Sequence, residues 1–158
     1  MIVNINIYKI DAQHNIKIKP SNKVAIGNYL SIKNIFENEN TQNQDKNAKI
    51  INIFFEFKIE YKIQESSMLG NINFLGVVSW QEKKLEKEKE AKKPNFKEEW
   101  EKNKKLPDEY SFIIMNSILR KCILCAIDIS GQINLPPPIN IPMIQKNNQK
   151  THNIEYIG

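Results

Sequence analysis

The segment from Ile51 to Ile63 constrains the fold more than any other part of the chain, because apolar and polar residues alternate through it. Every odd position carries an aliphatic or aromatic side chain, and most even positions carry Asn, Glu or Lys. Successive side chains of a strand point to opposite faces of a sheet, so this pattern predicts a long strand. One buried and one mostly wet face is typical of an antiparallel sheet.

The next apolar stretch, from Asn71 to Trp80, repeats the alternation and predicts the returning strand of a hairpin. The residues between, from Glu65 to Gly70, are typical of a turn. Gly76 falls on the buried face of the returning strand, where a missing side chain suggests the close approach of another element.

Two further strands are predicted upstream. The first covers Ile2 to Ile10 and continues through Ile16 to Lys19, with a change of apolar phase near Tyr8 that a β-bulge would cause. The second covers Tyr29 to Phe36, and a polar loop rich in Asn and Gln follows it from Glu37 to Asn47. The apolar residues that we expect on one face of this second strand are Leu30, Ile32 and Phe36.

Lysines and glutamates interleave in the segment from Gln81 to Lys105, so that its charges nearly cancel. The chain has a formal net charge of +5, which would ordinarily prompt a nucleic-acid hypothesis. Because alternating charge is typical of a solvated helix face, we interpret the segment as a charged crossover insertion and expect no nucleic-acid partner.

A long helix is predicted from Asp108 to Ser130, opening after Pro107 with acidic residues and stopping at Gly131. Its apolar residues cover more than one face, which is more surface than a one-sided sheet can bury, and this favours a subunit interface. The predicted oligomer interface consists of Met115, Ile118, Cys122 and Cys125 on the helix and Gly76 and Val78 on the last strand.

Cys122 and Cys125 have the spacing of a redox or metal motif, but both lie in the middle of the predicted helix. Zinc would need two more ligands, and the two histidines, His14 and His152, lie near opposite ends of the sequence. Core packing is the better interpretation. The sequence also lacks a phosphate-binding loop and a nucleophile motif, so we expect no catalytic residues, no metal, no cofactor and no enzymatic activity.

The length of 158 residues suits a single domain covering residues 1–158, with a flexible tail over residues 145–158. No apolar run approaches the length of a membrane span, and the N-terminus lacks the features of a signal peptide. These observations predict a cytoplasmic protein.

The order of four strands, a crossover, a long apolar helix and a proline-rich segment resembles the SecB family of export chaperones. The most specific match runs from Arg120 to Ile141, where a Cys-Ile pair at Cys122 is followed by Gly131 and then by the sequence Asn-Leu-Pro-Pro-Pro-Ile-Asn-Ile from Asn134. Phe74-Leu75 in the last strand is a second match. The resemblance covers about three-quarters of the chain.

The resemblance implies an α+β fold, in which a four-stranded antiparallel sheet carries a long helix and a short C-terminal helix on one face. It also implies a homotetramer, assembled as a dimer of dimers, that acts as an ATP-independent holdase for unfolded polypeptides, in export or for a dedicated toxin–antitoxin partner. The family docks the SecA motor through acidic surface, so the basic charge of this chain argues against that partner. The client groove implied by the family comprises Leu30, Ile32, Phe36, Trp80, Leu135, Ile139, Ile141 and Ile144.

Two other functions remain open from the residues alone. The high pI of about 9.1 allows a nucleic-acid-binding or translation-associated protein that uses lysines and sheet aromatics. An assembly factor with one dedicated partner would need the same apolar groove as a general holdase, so the sequence does not separate the two.

Overall fold

The computed structural model describes residues 1–17, 23–38, 48–63, 67–83 and 96–139. Its four strands form one antiparallel sheet in the order β1-β4-β3-β2, which confirms the predicted fold class. The elements are β1 (Ile2–His14), β2 (Ala25–Asn38), β3 (Ala48–Ile63), β4 (Ser67–Lys83), α1 (Phe96–Asn103) and α2 (Asp108–Gln132).

The core lies between the β3–β4 hairpin and α2. The odd-numbered side chains of β3 from Ile51 to Ile63 are buried, and those from Ile51 to Tyr61 pair across the hairpin with even-numbered residues of β4. Phe57 stacks on Phe74 with ring centroids 6.2 Å apart, and both rings are fully buried. Because burial of apolar area is the main stabilising contribution to a fold, this alternating face fixes the strand register. We call it the core face and the opposite side the open face.

Gly76 lies on the core face, as predicted, and the element that approaches it is the neighbouring strand. A Cβ atom at Gly76 would collide with the ring of Phe55 and would lie 2.8 Å from the carbonyl oxygen of Asn6. The missing side chain therefore makes room for the Phe55 ring inside one chain.

One stripe of α2 packs against the sheet. Ile114, Ile118, Cys122 and Ala126 are fully buried, and Ser130 follows them at the end of the stripe. The helix ends at Gln132, two residues beyond the predicted end. The residue in the left-handed region is Asn134, with a φ of 57°, and not Gly131. Asn tolerates this conformation better than most residues, and the Leu135 amide then donates to the Ser130 carbonyl oxygen at 2.8 Å.

The predicted bulge in β1 is confirmed, because the register of β1 with β4 shifts between Ile7 and Lys9. A second shift lies between Ile2 and Asn4. The strand runs on to His14, while Ile16 lies beyond it and is 86% exposed.

The prediction that Phe36 shares a face with Leu30 and Ile32 is wrong. A bulge at Lys33 shifts the register of β2 with β3, so that Ile32 pairs with Phe55 but Phe36 pairs with Asn52. Beyond the bulge, Ile35 takes the core face and Phe36 the open face. Phe36 is 53% exposed there.

The short helix α1 was not predicted as a separate element. Phe96 anchors it and is almost completely buried between Trp80 and Tyr110, with ring centroids 6.0 and 5.2 Å away. The expected short C-terminal helix and tail lie outside the described residues. So do residues 39–47 of the polar loop after β2, residues 84–95 of the charged crossover and residues 65–66 of the predicted turn. The other four residues predicted as turn, 67–70, instead form the start of β4.

Candidate functional site

A half-covered apolar surface lies on the core face beside α2. The helix packs over β4 and β1, while α1 packs over β2. The β2 side chains Ile26, Leu30 and Ile32 are only half buried. They pair with Tyr61, Phe57 and Phe55 of β3, which places them on the core face.

One flank of α2 forms the wall of this surface. Tyr110 at the start of α2 lies 5.0 Å from Trp80, and Leu135, just after the helix, lies against Gly70, so α2 runs antiparallel to β4. In a right-handed helix with this direction, the flank facing β2 carries Met115, Leu119 and Ile123. All three are half buried. We call the surface formed by Ile26, Leu30, Ile32, Met115, Leu119 and Ile123 the trough.

The predicted groove residues Trp80 and Leu135 are buried at opposite ends of the core face of β4. Trp80 is 7% exposed in the aromatic cluster with Phe96 and Tyr110. Leu135 is 5% exposed, and a Cβ atom at Gly70 would lie 2.9 Å from its Cδ1 atom. Because each strand residue rises about 3.4 Å, Gly70 and Trp80 are separated by roughly 34 Å. Leu135 therefore lies level with Ile26, whereas Trp80 pairs with Ile51, four residues along β3 from the partner of Ile32. Neither side chain forms part of the trough floor.

The remaining predicted groove residues fall into three groups. Leu30 and Ile32 form the floor of the trough, whereas Phe36 lies on the open face against Phe54, with ring centroids 5.6 Å apart. Ile139 is 44% exposed after α2. Ile141 and Ile144 lie outside the described residues.

The predicted oligomer interface requires a correction. Ile118, Cys122 and Val78 are fully buried inside one chain, and Gly76 is covered by Phe55. These four residues have no surface left for a second copy. Met115 and Cys125 remain half buried on the two flanks of α2.

The apolar residues that α2 leaves in water are different from those predicted. Phe112 is 76%, Ile113 51% and Leu124 64% exposed. Phe112 and Ile113 line an open depression of about 650 Å³, together with Leu119 and Arg120. The helix does carry more apolar surface than its sheet covers. A stripe of residues four apart from Ile114 could have identified the buried face in the sequence.

The open face of the sheet carries paired charges. Lys33 lies 2.5 Å from Glu56, and Glu60 contacts Lys58 and Lys62 at 2.6 and 2.8 Å. Hydrogen bonds from Lys33 and Asn73 hold the pKa of Glu56 below its usual value. These lysines are therefore matched by carboxylates and do not form the unopposed basic stripe that phosphate-backbone binding requires.

Cys122 is buried in the core, and Cys125 is half buried beside it on α2. Burial raises the pKa of the Cys122 thiol to about 12, so the reactive thiolate is disfavoured at neutral pH. Within the described ranges there is no cluster of three or more His, Cys, Asp or Glu residues that could hold a metal ion. His152 lies outside them.

None of the helices that the structure describes is long and apolar enough to cross a membrane.

No protein-family model matches the chain, and no curated protein matches it.

Among solved structures, this fold is similar to that of a SecB-like chaperone. The structure is that of Rv1957 of Mycobacterium tuberculosis in complex with a ChAD peptide from the Rv1956 HigA1 antitoxin. The TM-score is 0.55, and the similarity covers 93% of this chain and 91% of that chain at 13% sequence identity. The fold defined here is therefore SecB-like.

Proposed function

We propose that this protein is a chaperone that binds non-native polypeptides in the trough. The observation that supports this most directly is the half-covered apolar floor of Ile26, Leu30 and Ile32 beside the apolar flank of α2. The SecB-like fold adds support, because the solved neighbour is a chaperone in complex with a peptide.

The trough suits unfolded chains because apolar burial is non-directional. Removing apolar surface from water contributes about 25 cal/mol per Å², whatever the identity of the side chain that covers it. An uncharged, partly covered floor therefore accepts many sequences that expose aliphatic or aromatic residues. Folded proteins bury such residues and would not compete.

Binding would proceed without nucleotide hydrolysis, as a holdase. A protein that binds the unfolded form lowers the concentration of free unfolded chains by mass action and so slows their aggregation. Release would follow when the free client folds or when a partner captures it. A role in export or with a toxin–antitoxin pair is a narrower form of the same proposal.

The test is the heat-induced aggregation of citrate synthase, followed by light scattering without nucleotide. A stoichiometric excess of the protein should lower the final scattering several-fold, and an equal concentration of serum albumin should not. Unchanged scattering across a range of ratios would refute the holdase proposal.

We also propose that the chain assembles into a tetramer as a dimer of dimers. The exposed side chains Phe112, Ile113 and Leu124 support this, because isolated chains rarely leave so much apolar helix surface in water. These residues replace Ile118 and Cys122 as the proposed contacts.

A further inference from the structure

Met115 is the one sulfur-containing side chain of the trough. The other trough residues are all Ile or Leu, and their side chains do not react with mild oxidants. A thioether does react, because hydroperoxides convert it to a sulfoxide, which is a polar group. Met115 is only half buried on the wall that faces β2. A molecule as small as hydrogen peroxide can therefore reach its sulfur atom.

The sulfur of Met115 accepts a hydrogen bond from a serine. The hydroxyl of Ser111, one turn earlier on the same flank of α2, lies 3.4 Å from the Met115 Sδ atom. A thioether is a weak acceptor. The other two serines of α2, Ser117 and Ser130, donate instead to backbone carbonyl oxygens, at 2.8 and 2.9 Å. Ser111 is therefore the serine of this helix that would gain most from a stronger acceptor.

Oxidation of Met115 would supply that stronger acceptor. The oxygen of a sulfoxide carries a large partial negative charge, and it is bonded to the sulfur that the Ser111 hydroxyl already contacts. A half-buried sulfoxide without a partner would destabilise the fold, because an unpaired polar group is unfavourable away from water. A hydrogen bond from Ser111 offsets part of that cost. The helix should therefore keep its packing when Met115 is oxidised.

The same oxidation would change how the trough binds a client. Met115, Leu119 and Ile123 form an apolar wall, which contributes to binding because a client covers it and removes it from water. A client lying against a sulfoxide would also strip water from the S=O oxygen, and one serine hydroxyl replaces only part of that hydration. The affinity for apolar clients should fall while the fold stays intact.

We propose that Met115 is an oxidation site through which hydroperoxides lower the affinity of the trough for its clients. The proposal rests on the chaperone function above and specifies how that function is regulated. The sulfur lone pair attacks one peroxide oxygen, so an S–O bond forms and the O–O bond breaks. The proton of the transferred hydroxyl moves to the departing hydroxide, which leaves as water. Two thiols reverse the step by forming a disulfide and releasing the oxygen as water.

Met68 provides the matched comparison. It is 38% exposed at the start of β4, outside the trough, and its sulfur accepts a hydrogen bond from the Asn71 amide at 3.8 Å. Met1 is 59% exposed, and Met143 lies outside the described residues. Because Met68 is more exposed than Met115, peroxide should oxidise it at least as readily. Its oxidation should nevertheless leave client binding unchanged.

The first experiment treats the purified protein with hydrogen peroxide and then with dithiothreitol, which reverses disulfides and sulfenic acids at the cysteines but leaves sulfoxides in place. Mass spectrometry of proteolytic fragments locates the added oxygen atoms. The client is fluorescein-labelled reduced, carboxymethylated α-lactalbumin, a permanently unfolded chain, and its binding is followed by fluorescence anisotropy. Protein oxidised at Met115 should bind it about tenfold more weakly than untreated protein. Methionine sulfoxide reductases A and B should restore the affinity.

The second experiment compares treated and untreated protein for two variants. Met115→Leu keeps an apolar side chain without sulfur, so peroxide should change its affinity by less than about twofold. Met68→Leu should lose about tenfold on treatment, as the wild type does. An equal loss in Met115→Leu and the wild type would place the effect at another side chain and overturn the proposal. So would a Met115 that stays unoxidised once Met68 is fully converted.

Ser111→Ala tests the hydrogen-bond partner. Without the hydroxyl the sulfoxide has lost its donor, so peroxide treatment should lower the urea midpoint of Ser111→Ala more than that of the wild type. Equal shifts in the two proteins would contradict the role given to Ser111.

The outcomes separate this inference from the chaperone proposal. If untreated wild-type protein binds the unfolded client and protein oxidised at Met115 binds it equally tightly, the chaperone function stands and regulation by oxidation is wrong. If the untreated protein does not bind the client, the chaperone proposal fails, and this inference fails with it.

Discussion

At the scale of single residues, a substitution at Ile118 tests whether this position belongs to the core of one chain or to an interface between chains. It is fully buried in one chain, so Ile118→Asp would place an unpaired charge in the core. We expect a loss of about 3 kcal/mol or more in the free energy of unfolding, measured by urea denaturation. Asn116→Asp, at an exposed polar position of the same helix outside the proposed contacts, should change it by less than about 0.5 kcal/mol. A folded Ile118→Asp with only a lower particle mass would contradict the burial described here.

Tyr61 makes stability depend on pH in the alkaline range. Burial raises its pKa from 10.0 to about 12, and the neighbouring Ser130 hydroxyl offsets part of that rise. The folded state thus holds the phenolic proton more tightly. The resulting stabilisation is present below pH 10 and is lost as the pH rises from about 10 to about 12.

The corresponding measurement compares the wild type with Tyr61→Phe. Between pH 10 and pH 12 the free energy of unfolding of Tyr61→Phe, measured by urea denaturation, should fall less than that of the wild type, by up to about 3 kcal/mol. Both proteins retain Cys122, whose raised pKa adds its own loss in the same direction. Parallel curves for the two proteins would show that Tyr61 contributes nothing to the alkaline loss.

At the scale of elements, α1 depends on one aromatic cluster. A helix of eight residues is too short to be stable in isolation, so packing must hold it. Phe96 supplies that packing between Trp80 and Tyr110. Phe96→Ala should raise the rate of amide hydrogen exchange throughout α1 while β3 and β4 stay protected. Unchanged exchange in α1 would mean that other contacts fix it.

The long elements could be predicted from the sequence more accurately than the short or irregular ones. Alternation located β3 and β4 because one face of each is completely buried, and a period of four identifies the α2 stripe from Ile114 to Ser130. The bulge at Lys33 had no signature, since Ile35 and Phe36 are adjacent apolar residues and either could face the core. Only pairing with β3 decides between them.

The candidate site was predictable in part for the same reason. Leu30 and Ile32 were assigned to the correct strand, and they form the trough floor. The distance between Trp80 and Leu135 depends on the direction of α2 across the sheet, which no local pattern contains. Leu124 is exposed because another stripe of α2 packs against the sheet. The helix is apolar on almost every side, so its local sequence does not show which stripe is buried.

At the scale of the whole molecule, exposed apolar side chains on α2 predict self-association. Light scattering coupled to size exclusion should give about four times the chain mass of 18.5 kDa. Leu124→Glu should lower that mass, whereas Asp128→Glu on the same outer side of the helix should not. A monodisperse wild-type particle of 18.5 kDa at high concentration would contradict the proposed assembly.

The central claim is that the trough on the core face of β2 holds the client. Leu30→Asp places a charge in its floor, and Tyr29→Asp places the same charge on the adjacent residue, which lies on the open face and is 52% exposed. Both variants are first checked for fold by circular dichroism. Isothermal titration with reduced, carboxymethylated α-lactalbumin should then show about tenfold or greater loss of affinity for Leu30→Asp and an unchanged affinity for Tyr29→Asp. Equal affinities for the two variants would contradict the account.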